Sequence, residues 1–359
     1  MSKNKWFILA LVIVFALSAC AAPAAPAAEE AAPAAEEAAP AAEEAAPAAE
    51  EGYTICYDIY WSGNTWSIQL AKEFEMATRH VEPGVIKQVH ITDSESNIDK
   101  QLGNIEDFIT KGCDAIILDP LSLTGLEGVL TKAQDQGIKI VTMSKVEGDY
   151  YDASIGVNDY DFGVAGGKWL AEQLGCKGKI IMLSGLEGND TSNQRVNGAK
   201  SEFDKCNGGI EILANVHAKW DYATAKTETA NLLAAYPVID GVYSQGGAMT
   251  QAAVEAFEAA GRKLVPMTAE DSNGFLKMWV ARLPDFESIA PSKPPYMSAM
   301  ALDTALSLLR GETVPKDTLL EVPIITNADV KDYVRPELSD SFWTQSKMTE
   351  AEIKEVFPE

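Results

Sequence analysis

The sequence predicts an α/β protein made of two Rossmann-like lobes, each a parallel sheet flanked by helices, facing a common cleft. Three observations predict it. Short apolar runs alternate with amphipathic helical stretches, the pattern of βαβ units. The alternation runs from Thr54 to Met143, passes a short apolar stretch at Ser154–Val157, and starts again at Lys179. The 308 residues from Gly52 to Glu359 are also more than one hydrophobic core accommodates.

Thr54–Ile59 reads as a buried strand that feeds a polar-aromatic loop of Tyr60, Trp61, Ser62 and Asn64. A helix over Thr65–His80 follows, with Trp66, Leu70, Phe74, Ala77 and Val81 on or beside one face. Asn64 stands at its N-cap, where a side-chain oxygen can accept a backbone N–H of the first turn. Such a loop between strand and helix makes a ligand site at the carboxyl edge of a parallel sheet; core positions for Trp61 and Trp66 are the alternative. Further strands fall at Ile86–Ile91, Ala115–Leu118 and Ile138–Met143, with helices at Ile98–Lys111 and Thr124–Gln136. After Ser154–Val157 a helix over Phe162–Leu174 opens the second series. Its strands are Lys179–Leu183, Glu211–Val216, Gly241–Tyr243 and Leu264–Met267; its helices are Thr191–Cys206, Tyr222–Ala235 and Ala248–Ala260. A helix at Met297–Leu309 and a strand at Glu321–Thr326 are too few for a third domain, so they are expected to return to the existing lobes.

Ahead of this lies a different kind of sequence. Lys3 and Lys5 precede twelve apolar residues, Trp6–Leu17, and then Leu17-Ser18-Ala19-Cys20. A basic start, a short apolar run and small residues describe a secretory signal peptide over 1–19; twelve residues are too few to span a bilayer, which takes about 20. Leu-Ser-Ala-Cys resembles the lipobox of bacterial lipoproteins, which implies cleavage before Cys20, lipidation of Cys20 and anchoring to a membrane surface outside the cytoplasm. From Ala21 to Glu51 the unit AAPAAEE repeats with period seven. It has no large apolar residue and proline interrupts each turn, so it is no coiled coil; an extended tether is expected. Setting aside its eight glutamates and the two leader lysines moves the formal charge from −24 to −18. That acidity argues against nucleic acid as a partner.

Export fits the cysteines. Cys176 and Cys206 lie at the same end of the second lobe, and a bridge between them is open in an oxidising compartment. Cys56 and Cys113, on or before neighbouring strands, read as buried thiols. The three histidines, His80, His90 and His217, show no metal-ligand spacing, and no metal or other cofactor is expected.

An ordered run of segments carries a family resemblance: GNTWSIQLAKEFE, NIDKQLGNIEDFITKGCDAIILDP, QGIKIVTMSK, GVNDYDFGVAGGKWLAEQL, KGKIIMLSGLEGNDTSNQRVNGAK and VYSQGGAMTQAAVEAFEAAG. Over Gly52 to Thr326 the chain resembles the type I periplasmic substrate-binding proteins, the ribose-binding-protein group that serves ABC sugar importers. The resemblance implies hinge closure over a ligand, with crossovers near Gly156–Asp161, Ser288–Pro291 and Glu321–Ile325. It implies one lobe of 52–157 with 292–321, and a second of 158–291 with 322–359 and the tail. A sugar offers hydroxyls around its rim and apolar C–H faces, so its site needs in-plane donors and acceptors with aromatic faces. The expected ligand contacts are Trp61, Asn64, Trp66, Asp119, Lys145, Arg195, Trp220, Gln245, Glu270 and Asp271; which of the last two points inward is open. Ser144-Lys145 stands where ribose binders have an Asp-Arg pair, and Asp119 where they have Asn. These departures argue against ribose itself and leave an amino sugar or another cationic polyol open. The resemblance implies a monomer that hands its solute to ABC permease subunits; a sensory receptor of the same fold is the alternative. No Gly-x-Ser-x-Gly, metal cluster or phosphate loop stands in the right context for an enzyme.

Overall fold

The computed structural model describes residues 52–359; the leader, Cys20 and the tether lie outside the described residues. The elements run β1 (Tyr53–Ile59), α1 (Thr65–His80), β2 (Ile86–Asp93), α2 (Ile98–Thr110), β3 (Ala115–Leu118), α3 (Glu127–Asp135), β4 (Lys139–Thr142) and β5 (Ala153–Val157). They continue with α4 (Asp159–Gln173), β6 (Gly178–Ser184), α5 (Asp190–Asp204), β7 (Ile210–His217), α6 (Tyr222–Ala235), β8 (Gly241–Ser244), α7 (Gly247–Ala259), β9 (Met267–Thr268), α8 (Asn273–Val280) and β10 (Ser288–Pro291). The chain ends with α9 (Met297–Leu309), β11 (Asp317–Leu320), β12 (Ile324–Thr326), α10 (Val330–Tyr333) and α11 (Glu350–Val356).

Two six-stranded sheets result, ordered β11-β5-β4-β3-β1-β2 and β12-β10-β9-β8-β6-β7. Every pair is parallel except β10 with β12. Both sheets are buried on both faces. In the first lobe, Ile55, Tyr57, Leu70, Phe74 and Leu302 form one core under α1 and α9, while Ile105, Phe108, Ile116 and Leu130 form another under α2 and α3. In the second, Val242, Phe257, Phe275 and Trp279 pack under α6, α7 and α8, and Ile180, Leu170 and Phe203 under α4 and α5. Helices α4 and α5 touch backbone to backbone. A Cβ at Gly163 would stand 2.1 Å from the Arg195 carbonyl oxygen, and one at Gly198 2.1 Å from that of Tyr160. Only glycine permits that approach, and it lays Arg195 against the start of α4.

The chain passes between the sheets three times. It leaves β5 for α4 at Asn158, whose side chain accepts from Tyr160 and Asp161 N–H groups. It leaves β10 for α9 through residues 292–296, and β11 for β12 through residues 321–323. The crossover expected near Ser288–Pro291 lies just beyond it, since Ser288–Pro291 itself is strand β10, paired to β9 and β12. The strand expected over Glu321–Thr326 shortens to β12 at Ile324–Thr326; β11, just before that range, belongs to the other sheet, and the crossover between them carries Pro323, whose missing N–H cannot continue a ladder. Helix α4 starts three residues before the expected Phe162 because Asn158 caps it. Helix α3 starts three after Thr124 because Ser122 Oγ accepts from Thr124 and Gly125 in a turn.

Two further differences concern the tail and the cysteines. Residues 335–359 were expected with the second lobe, yet they strap both. Leu338, Phe342, Met348, Ile353 and Phe357 cluster with Met76 of α1, while Asn273 Nδ2 of α8 donates to the carbonyls of Arg335, Leu338 and Ser339. Cys176 and Cys206 are joined with Cα atoms 5.1 Å apart. Cys56 and Cys113 are not thiols: they form a second disulfide, Cα–Cα 6.0 Å, because β1 lies beside β3 and the turn leading into it.

Candidate functional site

The carboxyl ends of both sheets meet at a cavity lined from both lobes. From the first come Tyr60, Asn64, Thr65, Trp66 and Asp119; from the second, Asn189, Thr191, Arg195, Trp220 and Glu270. The second crossover adds Lys293 and the tail adds Trp343. Leu123 N donates across the cleft to Asp190 at 3.0 Å, so the lobes touch around the cavity.

Local structure explains each placement. Asn64 caps α1 by accepting from Ser67 N at 2.8 Å, and its Nδ2 faces Tyr60 OH at 3.3 Å. Trp66 Nε1 donates to the Lys293 carbonyl at 2.7 Å, tying α1 to the crossover. The Trp220 ring lies on Gly185 and Gly246, where a Cβ would stand 2.2 Å and 3.1 Å from it. Lys219 and Trp220 take positive φ values of 61° and 54° to turn it there, a conformation uncommon outside glycine. Trp343 donates from Nε1 to Thr65 Oγ1 at 3.0 Å, and its backbone is clasped by Gln69 of α1.

A buried charge network forms the floor. Arg195, 2% exposed, donates from Nε to Asp159 at 2.8 Å and from Nη1 to the Gln245 carbonyl at 3.1 Å; both Glu270 oxygens lie 3.4 Å from Nη1. Its guanidinium stacks on Phe162, 3.6 Å from the ring centre. Lys293 Nζ reaches Ser144 Oγ at 3.3 Å and Asp159 at 3.4 Å. Burial works against the charge on Asp159, but Lys293 and Arg195 outweigh it and hold its carboxyl below the ordinary range. Burial dominates at the other two acids, pushing Asp119 up to about 6 and Glu270 up to about 7.

Of the expected contacts, Asn64, Trp66, Asp119, Arg195, Trp220 and Glu270 share the cavity. The other four do not line it. The Trp61 ring lies over Gly63 and packs on the first-lobe core. Lys145 is exposed and pairs with Asp317 at 2.7 Å. Gln245 is a support: it accepts from Gly185 N, donates to the Ser192 carbonyl, and its own carbonyl holds both Arg195 and Trp220. Asp271 accepts from Ser292 and Thr344 hydroxyls, so Glu270 is the inward carboxylate of the pair. Sequence reasoning missed Asp159, Asn189, Thr191, Lys293 and Trp343. The N-cap asparagines before α4 and α5 were a usable signal for the first three, since caps place the next residues at a sheet's carboxyl edge. Among the described residues no group of three or more His, Cys, Asp or Glu is placed to hold a metal ion, and no helix is long and apolar enough to cross a membrane.

Two α/β lobes, three crossovers and a cavity walled from both sides define a hinged solute-binding protein. Sequence comparison agrees: the model of the periplasmic binding protein domain matches residues 55–313, and the chain belongs to that family of extracytoplasmic solute-binding proteins, which are not enzymes. It is similar to the ribose import binding protein of Haemophilus influenzae, 23% identical over 238 residues, covering 66% of this chain and 80% of the relative. It is also similar to a xylitol-binding protein of Mycolicibacterium smegmatis, 26% identical over 243 residues, covering 66% and 68%. In fold it matches an ABC transporter solute-binding protein of Bacillus halodurans solved with bound myo-inositol, with a TM-score of 0.70, 21% identity, and coverage of 79% and 98%.

Proposed function

We propose that this protein captures a sugar or sugar-like polyol between its lobes and delivers it to an ABC importer. The carrying observation is the cavity itself: three indoles, Trp66, Trp220 and Trp343, surround a set of in-reach polar groups from Asn64, Asp119, Asn189, Arg195 and Glu270. Flat apolar faces beside convergent donors and acceptors suit a ring with C–H faces and a hydroxyl rim. Each hydroxyl left unpaired in a closed cleft costs about 1–3 kcal/mol, so such a set selects a matching pattern. Relatives named for ribose and xylitol support the same ligand class. Lipidation of Cys20 and a tether over 21–51 would hold the folded part off the membrane surface as a monomer. The Leu-Ser-Ala-Cys motif and the AAPAAEE repeats support that arrangement.

A thermal-shift screen of pentoses, hexoses and polyols tests the reading, because a ligand that binds only the folded state raises Tm. At least one of them should do so. A shift from amino acids or peptides, with none from sugars or polyols, would sink it. Loss of uptake on deletion of the gene separates delivery to an importer from a sensory role.

A further inference from the structure

We propose that the ligand carries a protonated amine, so that the cleft prefers an amino sugar or aminated polyol to its hydroxyl counterpart. This rests on the sugar-like reading above. Asp119 is 5% exposed and lines the cavity, yet its carboxylate accepts no hydrogen bond from any described residue; only its backbone carbonyl is engaged, by Gln101. A buried carboxylate without a protein donor points to a donor on the ligand.

The surrounding charges decide what kind of donor. Asp159 takes the closest approach of Arg195 and an ion pair with Lys293. Glu270 has contacts of 3.4 Å from Arg195 Nη1 and from the Lys293 backbone N–H. Asp58 is satisfied by Thr92, Ser94, Gln101 and Asn104, and Asp271 by Ser292 and Thr344. Around the cavity, then, the carboxylates of Asp119, Asp159 and Glu270 face two cations among the described residues, Arg195 and Lys293, which leaves one negative charge in excess when all are ionised. An unbalanced charge in an enclosed site is costly. A proton can remove the excess, and the raised values at Asp119 and Glu270 show where it would sit. An ammonium removes it as well, and adds up to three charge-assisted hydrogen bonds. A hydroxyl donates to Asp119 but leaves the charge in place.

The test is titration calorimetry on the full chain with matched probes: D-glucose, D-glucosamine and N-acetyl-D-glucosamine, the corresponding galactose set, and myo-inositol with an amino-deoxy inositol. At least one amine should bind about ten-fold or more tightly than its hydroxyl and N-acetyl counterparts. Asp119→Asn, which keeps the side-chain shape, should bring that ratio to about one, with an unliganded Tm no lower than that of the wild type as the control for folding. Neutral members binding as tightly as the amines, or an amine preference untouched by Asp119→Asn, overturns the proposal and leaves the sugar-like reading standing. If no sugar or polyol of either kind binds, both fall together.

Discussion

Arg195 is held by Asp159 on one side and Glu270 on the other, all three at 5% exposure or less. Arg195→Ala would leave the buried Glu270 without its cation and Asp159 with Lys293 alone, a loss of about 3–5 kcal/mol, so a lower Tm in calorimetry is expected before any ligand is added. Trp220 is a cleaner probe of binding, since it is only partly buried. Trp220→Ala should weaken ligand affinity about ten-fold or more, and an unchanged affinity would remove its ring from the site. The acids predict a pH dependence. A carboxyl whose pKa is higher folded than unfolded holds extra protons in the folded state. Its contribution is complete below the unfolded value and is lost as pH rises through the folded one. For Asp119 and Glu270 that window runs from about 4 to about 7, while Asp317, held at about 2 chiefly by Lys145 and Tyr151 against its burial, acts below it. The unliganded protein should therefore melt higher at pH 5.5 than at pH 8, and Glu270→Gln should narrow the difference. A Tm that climbs across this range contradicts the assignment.

Among the elements, the C-terminal tail does the least expected thing. It reaches α8 through Asn273 and Lys277, and α1 through Gln69, Glu73, His80 and Arg79. Between those anchors it delivers Trp343 to the cavity. Removing Phe342–Glu359 uncovers Met76 and deletes most of an apolar cluster, so both Tm and affinity should fall. Trp343→Ala separates the two effects: affinity should fall about as far as in the truncation, with the smaller loss of Tm. Equal affinities in wild type and Trp343→Ala would make the tail a strap and nothing more. The α4–α5 contact rests on single positions instead: at Gly163, Gly167 and Gly198 a side chain has no room.

At the scale of the molecule, each lobe has its own disulfide. Cys56–Cys113 spans 57 residues and Cys176–Cys206 spans 30, and neither joins one lobe to the other. In the chain-entropy picture loops of that length contribute about 3–4 kcal/mol each. Reduction should lower Tm markedly while leaving any ligand response detectable in what remains folded, and unreduced protein should show none of these four cysteines alkylated by mass spectrometry. The hinge is free of these bridges, so lobe closure depends on the crossovers and on contacts such as Leu123 with Asp190.

How much of this was legible in advance follows from the range of the interactions. Strands, helices and caps rest on residues two to four apart, so apolar periodicity and Asn64 placed α1 to the residue, and the restart after Ser154–Val157 announced a second lobe. The loops after the strands and the first turns of the helices that follow held six of the cavity residues for the same reason: the carboxyl edge of a parallel sheet is a local consequence of βαβ order. Lys293 lies on a crossover that read as part of a hinge, and its contact with Asp159 spans 134 residues. Trp343 and Thr65 are 278 apart, and the Cys56–Cys113 pairing waits on β1 lying beside β3. Periodicity says which face of an element is buried but not which distant loop meets it. Only the closed arrangement of lobes and tail turned separate polar loops into one charged, indole-walled cavity.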